Sequence, residues 1–346
     1  MLGDLLQTVM RRQDLTADQA RAAMDAIIDG HARGAQVAGL LVGLAMKGER
    51  PDEIVGFARS MRARAVGIRA PEGGTVDLCG TGGDGAGTFN ISSVAGIVVA
   101  ACGVTVAKHG NRSVSSRCGS ADVFEALGVN VAAPPPVVET CLAGNGMAFL
   151  FAPVFHPSMR HVAEVRRELG VRTAFNLLGP LTNPTQPRRQ LIGVPRPELT
   201  ELMARALSLL GSERAWVVHG ADGLDEISTT GYTKVSESRG RTVNTFYLHP
   251  SDVGLPKATP GSLAGGDAAV NAEIARDILR GTRGHARDIV LLNAGAVLLL
   301  AGRADTLREG LARAGEAIDS GAGRAVLERL VSASQCAAGS SVTGGA

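Results

Sequence analysis

The sequence predicts an α/β protein: a small all-helical N-terminal domain and a large domain whose mostly parallel central sheet is flanked by helices. Two observations predict this fold. Residues 1–70 show only helical periodicity, whereas from residue 76 short β-branched runs alternate with helical ones, as in parallel sheets. At 346 residues the chain can bury one large core or form two domains. We expect a helical domain at 1–70 with a contribution from a hinge region at about 157–182, an α/β domain at 71–332, and a flexible tail at 333–346.

The helical domain contains recognisable helix ends. Thr16 and Gln19 form a capping box, which begins a helix that Gly30 ends. Pro51 suits the first position of a further helix. The stretch Pro71-Glu72-Gly73-Gly74 then predicts a linker.

The large domain is predicted to contain short strands and longer helices. The strands are Val76–Cys79, Val104–Ala107, Val129–Val131, Phe149–Ala152, Gln190–Val194, Ala215–His219 and Val243–Leu248. The helices are Ile91–Cys102, Ala121–Leu127, Pro157–Leu169, Leu199–Leu210 and a long C-terminal helical region. Ligands of such sheets bind at the carboxyl ends of the strands.

Two glycine-bearing turns, at residues 80–84 and 108–113, fall at such strand ends. Between Asp84 and Asp122 the sequence has no acidic residue, but it has Lys108, Arg112 and Arg117. A glycine-dense backbone brings its N–H groups close to an oxyanion, and a following helix N-terminus adds a favourable dipole. The turns therefore predict a cradle for a ligand with phosphates at both ends.

Other nucleotide-binding patterns fit less well. Residues 80–85 match the dinucleotide fingerprint GxGxxG, but that site requires an acidic residue about twenty positions later, and none precedes Asp122. The sequence has no GxxxxGK[ST] motif of a P-loop NTPase. A tight turn without a ligand remains the alternative for either glycine turn taken alone.

Two further motifs point to phosphate and metal. Asn90 is expected to cap a helix whose first turn contains Ser92 and Ser93, where free N–H groups suit a phosphate; capping alone is the competing interpretation. Asp225 and Glu226 follow another predicted strand. Mg²⁺ takes one or two carboxylates together with substrate phosphates, so a cradle opposite favours a metal site over a solvated polar loop.

A candidate carboxylate-binding arginine lies on the helix that follows His156. Met159 and Arg166 are seven residues apart and share a helical face. An arginine beside an apolar patch can bind the carboxylate of a planar apolar substrate. A solvated arginine is the alternative, because other arginines crowd this segment, and periodicity does not distinguish Arg166 from Arg167.

Composition argues against several classes of protein. The net charge is +2 at pH 7 without a polybasic run, which disfavours nucleic acid as a partner. Five cysteines without a CxxC pair predict free thiols, no zinc site and a cytoplasmic location. The longest apolar runs, such as Ile289–Ala301, are too short to span a bilayer, so we expect no membrane partner.

Six motifs, together with the C-terminal RDIVLLNAG (287–295), extend over nearly the whole chain. They are GTGGD (80–84), NISS (90–93), KHGNRSVSS (108–116), GSADVFEALG (119–128), FHPSMRHVAEVRRELGVRTAFNLLGPLTNP (155–184) and DGLDE (222–226). In this order they resemble the anthranilate phosphoribosyltransferase family, which acts in tryptophan biosynthesis from chorismate. The GTGGD turn alone is less specific, because pyrimidine nucleoside phosphorylases of the same fold class have a similar turn.

The resemblance implies transfer of the 5-phosphoribosyl group of 5-phosphoribosyl 1-diphosphate (PRPP) to the amine of anthranilate. The products are N-(5-phosphoribosyl)anthranilate and diphosphate. It implies Mg²⁺, as two ions of which one binds through the diphosphate, and a catalytic centre with Lys108, His109 and Arg166. It also implies a homodimer formed through the helical part, and it leaves room for separate anthranilate synthase subunits as partners.

The resemblance further implies three sets of binding residues. For PRPP they are Gly80, Gly83, Asp84, Thr88, Asn90, Ile91, Ser92, Ser93, Lys108, Asn111, Arg112, Ser113, Ser116 and Ser120. For the metal they are Ser92, Asp225 and Glu226, and for anthranilate they are Gly80, His109, Asn111, His156, Met159, Arg166 and Pro180. Two positions depart from the family pattern, since Ser113 replaces the commoner alanine and Met159 stands where some members have tyrosine.

Two other functions compete with this interpretation. A nucleoside phosphorylase would use both glycine turns for inorganic phosphate, but Arg166 on an apolar face and the acidic pair argue against it. A relative that keeps the fold and binds nucleic acid would need a basic groove in place of Asp225 and Glu226.

Overall fold

The computed structural model describes residues 2–113 and 117–336. Within them, one sheet contains the strands β1 (Val76–Gly80), β2 (Val106–Gly110), β3 (Met147–Phe151), β4 (Arg189–Gly193), β5 (Arg214–Gly220), β6 (Thr233–Arg239) and β7 (Thr242–Leu248). The strand order is β3-β2-β1-β4-β5-β6-β7. Strands β1 to β5 pair in parallel, while β6 and β7 are antiparallel. The predicted mostly parallel sheet is confirmed.

Helices precede the sheet and cover it. The N-terminal helices are α1 (Leu2–Met10), α2 (Ala17–Ile28), α3 (Gly34–Lys47) and α4 (Pro51–Ala63). The helices between strands are α5 (Ile91–Ala101), α6 (Ser120–Ala126), α7 (Pro135–Asn145), α8 (Ala152–Phe155), α9 (Arg160–Leu169), α10 (Phe175–Leu178) and α11 (Leu199–Leu209). The C-terminal helices are α12 (Ala268–Leu279), α13 (His285–Leu300), α14 (Leu307–Asp319) and α15 (Ala322–Ser334).

The N-terminal helices begin and end as the sequence predicts. Thr16 Oγ1 accepts from Gln19 N at 3.2 Å and Gln19 Oε1 accepts from Thr16 N at 2.9 Å, which is the capping box at the start of α2. Gly30 follows α2 with φ of 75°, and Pro51 is the first residue of α4. Helices α2 and α4 cross closely, because a Cβ at Gly56 would lie 2.2 Å from the carbonyl oxygen of Ala17.

The sheet register places the two glycine turns at one edge. Val76 pairs with Val106, and each begins a five-residue strand, so β1 and β2 end level at Gly80 and Gly110. Gly80 also pairs with Gly193, the last residue of β4. The carboxyl ends of these adjacent strands therefore lie side by side.

The described residues form two hydrophobic cores. The larger core packs one face of the sheet against α5, α6, α7 and the C-terminal helices. The smaller core contains the N-terminal helices, α11 and the other face of β4 and β5, so it extends well beyond the first 70 residues. From the predicted hinge region, Val162, Phe175 and Leu181 are buried in this smaller core.

The structure corrects several element predictions. Val129–Val131 is not a strand: it lies in the short connection between α6 and α7, and its two valines are buried in the larger core. Pro157–Leu169 is not one helix, because Pro157–Met159 forms a 3₁₀ turn before α9 begins. Strand β6 was not predicted, since serines rather than apolar residues occupy its buried positions Ser236 and Ser238.

The C-terminal helix continues through Ser334, whose side chain is buried. The first two residues of the predicted tail are therefore helical, and residues 337–346 lie outside the described part of the chain. In the described residues no helix combines the length and apolar character needed to cross a bilayer.

Candidate active site

The first glycine turn lies directly against the loop that carries Asp225. A Cβ at Gly80 would lie 2.2 Å from Asp225 Oδ2, and one at Gly193 would lie 1.5 Å from the Asp225 carbonyl oxygen. Gly82 N donates to Asp225 Oδ2 at 2.8 Å, from a backbone with φ of 67°. Glycines at the ends of β1 and β4 thus make room for the half-buried carboxylate of Asp225 beside the turn.

Two more carboxylates and a lysine complete what we call the acidic cluster: Asp84, Asp225 and Glu226 with Lys108 and Ser92. Asp225 N donates to Asp84 Oδ2 at 3.5 Å, and Ser92 N, in the first turn of α5, donates to Glu226 Oε1 at 3.1 Å. Burial and then the Asp84 charge raise the pKa of Asp225, and burial and then Asp225 raise that of Glu226. Desolvation and mutual repulsion therefore disfavour the charged forms of Asp225 and Glu226.

Lys108 is the cation of the acidic cluster and is almost fully buried. Its Nζ donates to the Leu78 carbonyl oxygen at 2.7 Å and to Ser92 Oγ at 3.3 Å. A buried ammonium that, among the described residues, meets a carbonyl and a hydroxyl at hydrogen-bond distance but no carboxylate keeps the capacity to bind an anion.

The donors of the acidic cluster fit Mg²⁺. They are hard oxygens, namely carboxylates and the Ser92 hydroxyl, which is the chemistry that this ion selects. In the described residues no three Asp, Glu, His or Cys side chains are grouped to hold an ion by themselves. Because Mg²⁺ usually takes one or two carboxylates plus waters and substrate phosphates, an incomplete protein shell suits it.

The second glycine turn differs from the prediction because acidic side chains reach it. Arg112 Nη1 lies 2.8 Å from Asp122 Oδ1 and 2.8 Å from Glu125 Oε2, both on α6. Asp122 Oδ2 also accepts from Gly119 N at 2.8 Å. The absence of acids between Asp84 and Asp122 in the sequence therefore does not leave this turn free of negative charge.

The remaining residues predicted for PRPP surround the two turns. Asn90 occupies the N-cap position of α5 but does not cap it: its Nδ2 donates to the Cys118 carbonyl oxygen at 3.2 Å and its Oδ1 accepts from Asn271 Nδ2 at 3.0 Å. Thr88 forms an isolated bridge with Ala264. The others lie at the end of β1, in the first turn of α5 and around the start of α6: Gly83, Ile91, Ser93, Asn111, Ser113 and Ser120. Ser116 lies outside the described residues.

Two buried polar atoms without a hydrogen-bond partner in the described residues lie at the same carboxyl edge of the sheet. Ser93 Oγ and Thr81 Oγ1 are buried and have no hydrogen-bond partner in the described structure. Thr81 is a residue that the sequence analysis missed, although it stands inside the GTGGD motif. Arg172 was missed too, and its guanidinium covers the first turn, since a Cβ at Gly83 would lie 1.5 Å from Arg172 Nη1.

The other face of β2 carries His109, which contacts His156. We call these two residues, together with Arg166, the histidine–arginine cluster; Arg166 is included because its ring partner Phe175 lies on α10, which leads directly into the turn whose Gly179 bonds His109. The two imidazole rings are 5.3 Å apart in an edge-to-face arrangement. His109 Nδ1 lies 3.0 Å from the Gly179 carbonyl oxygen. Because a carbonyl only accepts, Nδ1 carries the proton, and the buried Nε2 of His109 is an acceptor without a partner in the described structure.

Burial keeps both histidines neutral. It lowers the pKa of His109 to about 3 and that of His156 to about 4, and the neighbouring His156 adds to the effect at His109. The nearby carboxylate of Asp77 is fully buried and hydrogen-bonded, because it accepts from Asn183 Nδ2 at 2.8 Å and from His109 N at 3.3 Å. The two imidazole rings of the histidine–arginine cluster are therefore neutral at pH 7.

The structure separates Arg166 from Arg167. Arg166 places its guanidinium carbon 5.4 Å from the ring centroid of Phe175, and surrounding protein lowers its pKa. In the described residues Arg166 has no ion-pair partner, whereas the exposed Arg167 lies 3.9 Å from Glu164. Met159 packs partly buried against the smaller core, and Pro180 is buried in the 3₁₀ turn next to His109.

Comparisons with known proteins agree with this geometry. Residues 3–65 match the helical bundle domain of a glycosyl transferase family, and residues 72–324 match its a/b domain. The anthranilate phosphoribosyltransferase of Moorella thermoacetica is 56% identical over 331 residues, covering 96% of this chain and 98% of the relative. That of Syntrophobacter fumaroxidans is 51% identical with the same coverage.

Solved structures give the same result. A crystal structure of anthranilate phosphoribosyltransferase from Thermus thermophilus superimposes with a TM-score of 0.92 at 46% identity and covers 96% of this chain and 100% of its own. The Saccharomyces cerevisiae enzyme in complex with PRPP and Mg gives a TM-score of 0.87 at 28% identity, covering 96% and 97%. These likenesses extend over both domains and most of the chain. The chain therefore belongs to the anthranilate phosphoribosyltransferase family.

Proposed function

We propose that this protein transfers the 5-phosphoribosyl group of PRPP to the amine of anthranilate, releasing diphosphate, in a Mg²⁺-dependent reaction. One observation carries the proposal. At the carboxyl edge of the sheet, β2 presents Lys108 to the acidic cluster and His109 to the neutral His156, and Arg166, on the helix that follows His156, has no ion-pair partner in the described residues. A diphosphate with Mg²⁺ matches the first cluster, and an aromatic carboxylate with a neutral amine matches the second.

The acidic cluster would hold the leaving diphosphate. Mg²⁺ bound by Asp225, Glu226 and the Ser92 hydroxyl would neutralise the charge that develops on this leaving group, and we propose two ions, one bound through the diphosphate. Lys108 Nζ, 3.3 Å from Ser92 Oγ, needs only a small shift to meet a phosphate oxygen. Backbone N–H groups of the glycine turns would supply further donors fixed before the reaction.

The histidine–arginine cluster would position the acceptor. Arg166 would pair with the carboxylate of anthranilate. The amine is neutral at pH 7 and requires placement at C1 of the ribose more than deprotonation. His109 Nε2 accepts a hydrogen bond, but with its pKa lowered to about 3 it is a weak base, so we assign it to orientation and to late proton acceptance.

Arg166 belongs to the helical part of the molecule, while the acidic cluster belongs to the sheet. Helix α9 packs on α3, since a Cβ at Gly34 would lie 3.5 Å from Val165 Cγ2. A small rotation of the helical part would therefore bring Arg166 toward the glycine turns and exclude water from a reactive ribosyl centre.

The helical part also carries the surface that supports the implied homodimer. Met10 at the end of α1 and Met46 near the end of α3 are 72% and 76% exposed. Helices α1 and α3 run side by side in the same direction, because Leu6 lies opposite Gly39 and Val9 opposite Gly43. Two exposed methionines at one end of a helix pair suit burial against a second copy.

The proposed function is tested by the loss of anthranilate fluorescence. Protein, anthranilate, PRPP and Mg²⁺ are mixed, each component is omitted in turn, and EDTA serves as a control. We expect fluorescence loss only when all components are present. Phosphorolysis of thymidine or uridine without transfer to anthranilate would instead assign the chain to nucleoside phosphorylase chemistry.

A further inference from the structure

Arg172 is a cation that lies on the first glycine turn. Its guanidinium occupies the place that a Cβ of Gly83 would take, so the missing side chain is what allows the close approach. Arg172 is exposed, and its side chain makes neither an ion pair nor a hydrogen bond with another described residue. The five N–H donors of this guanidinium are therefore open to a ligand from solvent.

The backbone of Arg172 belongs to the helical part of the molecule. Gly170, with φ of 60°, ends α9, and Thr173 N donates to Asn176 Oδ1 at 2.9 Å in the first turn of α10. Ala174, two residues after Arg172, is buried in the smaller core. The long side chain of Arg172 thus reaches from this anchored backbone to the turn that follows β1.

Backbone donors of the turn are unpaired beside this guanidinium. Among the described residues, no acceptor lies within hydrogen-bond distance of the N–H groups of Gly83, Asp84 and Gly85, and both of these glycines are exposed. Gly82, Gly83 and Gly85 have φ values between 67° and 79°. Successive N–H groups in a turn of this kind form a concave site that binds anions.

Two carboxylates stand near the same place. Burial is the largest influence on the pKa of Arg172 and lowers it, whereas the charges of Asp225 and Asp84 raise it. An anion between Arg172 and the turn would be repelled by these carboxylates unless a cation covered them. The place therefore suits an anion that binds together with Mg²⁺, which phosphate groups do.

We propose that Arg172 binds the diphosphate group of PRPP. The guanidinium pairs with phosphate oxygens in a bidentate manner, and the unpaired N–H groups of the turn donate to the same group. The inference rests on the proposed function for the identity of the ligand. Because the backbone of Arg172 belongs to the helical part, diphosphate also draws that part toward the sheet and favours the arrangement that brings Arg166 to the glycine turns.

Calorimetry on the full chain tests this role, with inorganic diphosphate as the probe, a fixed excess of Mg²⁺ and no acceptor. We expect saturable binding that requires Mg²⁺. Arg172→Gln should weaken it at least tenfold, as expected for the loss of hydrogen bonds between charged groups. Arg172→Lys keeps the charge without the planar fork and should recover part of the affinity. Thermal unfolding of both variants should match the wild type, because the side chain is exposed.

The matched control is Arg196→Gln. Arg196 is close enough for its charge to act on Arg172, but its Nε lies 3.4 Å from Glu198. Diphosphate affinity should change little in this variant, and an equal loss in Arg172→Gln and Arg196→Gln would reduce the effect to net charge and refute a direct contact. Wild-type or tighter affinity in Arg172→Gln would also overturn the proposal, as would a wild-type chain that binds no diphosphate.

The transferase assay separates this inference from the proposed function. If transfer occurs, Arg172→Gln should raise the KM for PRPP about tenfold and leave the KM for anthranilate nearly constant. A rise confined to the anthranilate KM would assign Arg172 to the acceptor and contradict the proposal. If no transfer occurs but Arg172→Gln still weakens diphosphate binding, the proposed function fails while the diphosphate-binding role of Arg172 stands.

Discussion

Strand β2 separates two regions of the candidate active site that handle charge in opposite ways. On one face, Lys108 joins the half-buried Asp225 and the buried Glu226, both of which have raised pKa values. On the other face, His109 and His156 are held neutral, and the carboxylate of Asp77 is occupied by Asn183. Adjacent residues of a strand point to opposite faces of the sheet, so the consecutive residues Lys108 and His109 supply one side chain to each region.

The difference shows what each region lacks. Buried carboxylates that repel one another require a cation, and burial magnifies the need because the interior screens charge poorly. The neutral imidazoles of His109 and His156 require no counter-charge, so this region needs no carboxylate of the protein. In the described residues Arg166 has no ion-pair partner and is therefore available for the carboxylate of a substrate. The acidic cluster is therefore suited to a metal with phosphate, and the histidine–arginine cluster to the acceptor.

The largest expected effect comes from removing the acidic pair. The double variant Asp225→Asn with Glu226→Gln should lower kcat on the order of 10²- to 10³-fold, the range seen when electrostatic stabilisation of a transition state is lost. The Mg²⁺ concentration for half-maximal rate should rise as well. Initial rates of fluorescence loss across a Mg²⁺ titration measure both. The exposed Glu198→Gln is the matched control, and an unaltered Mg²⁺ dependence in the double variant would refute the metal assignment.

On the other face, Arg166→Ala should raise the anthranilate KM about 10- to 100-fold, the equivalent of a hydrogen bond to a charged group. The KM for PRPP should stay nearly constant, because Arg166 lies apart from the acidic cluster. Arg167→Ala is the control, since its guanidinium is exposed and lies 3.9 Å from Glu164. If both variants changed the anthranilate KM equally, Arg166 would not be the residue that binds the carboxylate of anthranilate.

Much of this arrangement could be predicted from the sequence. Glycine turns after β-branched runs indicate strand ends, and parallel strands bring their ends to one edge, so Gly80, Lys108 and Asp225 were expected together. What could not be predicted depends on tertiary contacts. Asp122 and Glu125 reach Arg112 only because α6 folds back over the turn.

Other features could not be predicted because no local sequence pattern indicates them. Arg166 and Arg167 are equivalent by periodicity, and only the ring of Phe175 and the ion pair of Arg167 distinguish them. Strand β6 escaped because buried serines replace the alternation of apolar residues.

A smaller effect follows from the neutral histidines. Unfolded histidine has a pKa of about 6.5, so the unfolded chain binds more protons below that pH than the native state does. The free energy of unfolding should fall by about 1.4 kcal/mol per pH unit for each of His109 and His156 as the pH drops below about 6.5, and the loss continues toward their lowered pKa values. Tm measured between about pH 5 and pH 8 should fall less steeply on acidification in His156→Gln. The exposed His31→Gln should keep the wild-type slope, and an equally steep fall in His156→Gln would contradict the neutral state of His156.

The smallest expected effect concerns Arg112, which would give up its carboxylate partners in the protein to bind the substrate. In this structure Arg112 pairs with Asp122 and Glu125 in an exposed setting. Exposed ion pairs contribute little to stability, so an incoming phosphate can displace them at little cost. Glu125→Gln should therefore lower the KM for PRPP about two- to fivefold without changing the KM for anthranilate.

The comparison variant for this last effect is Glu309→Gln, which removes a similar exposed pair with Arg313 on α14. It should leave both KM values unchanged. A higher KM for PRPP in Glu125→Gln would mean that Glu125 positions Arg112 for the substrate instead of competing with it. In that case the second glycine turn would resemble the acidic cluster, because in both places carboxylates would help to assemble the site. The use of carboxylates seen beside Lys108 would then extend to the turn that follows β2.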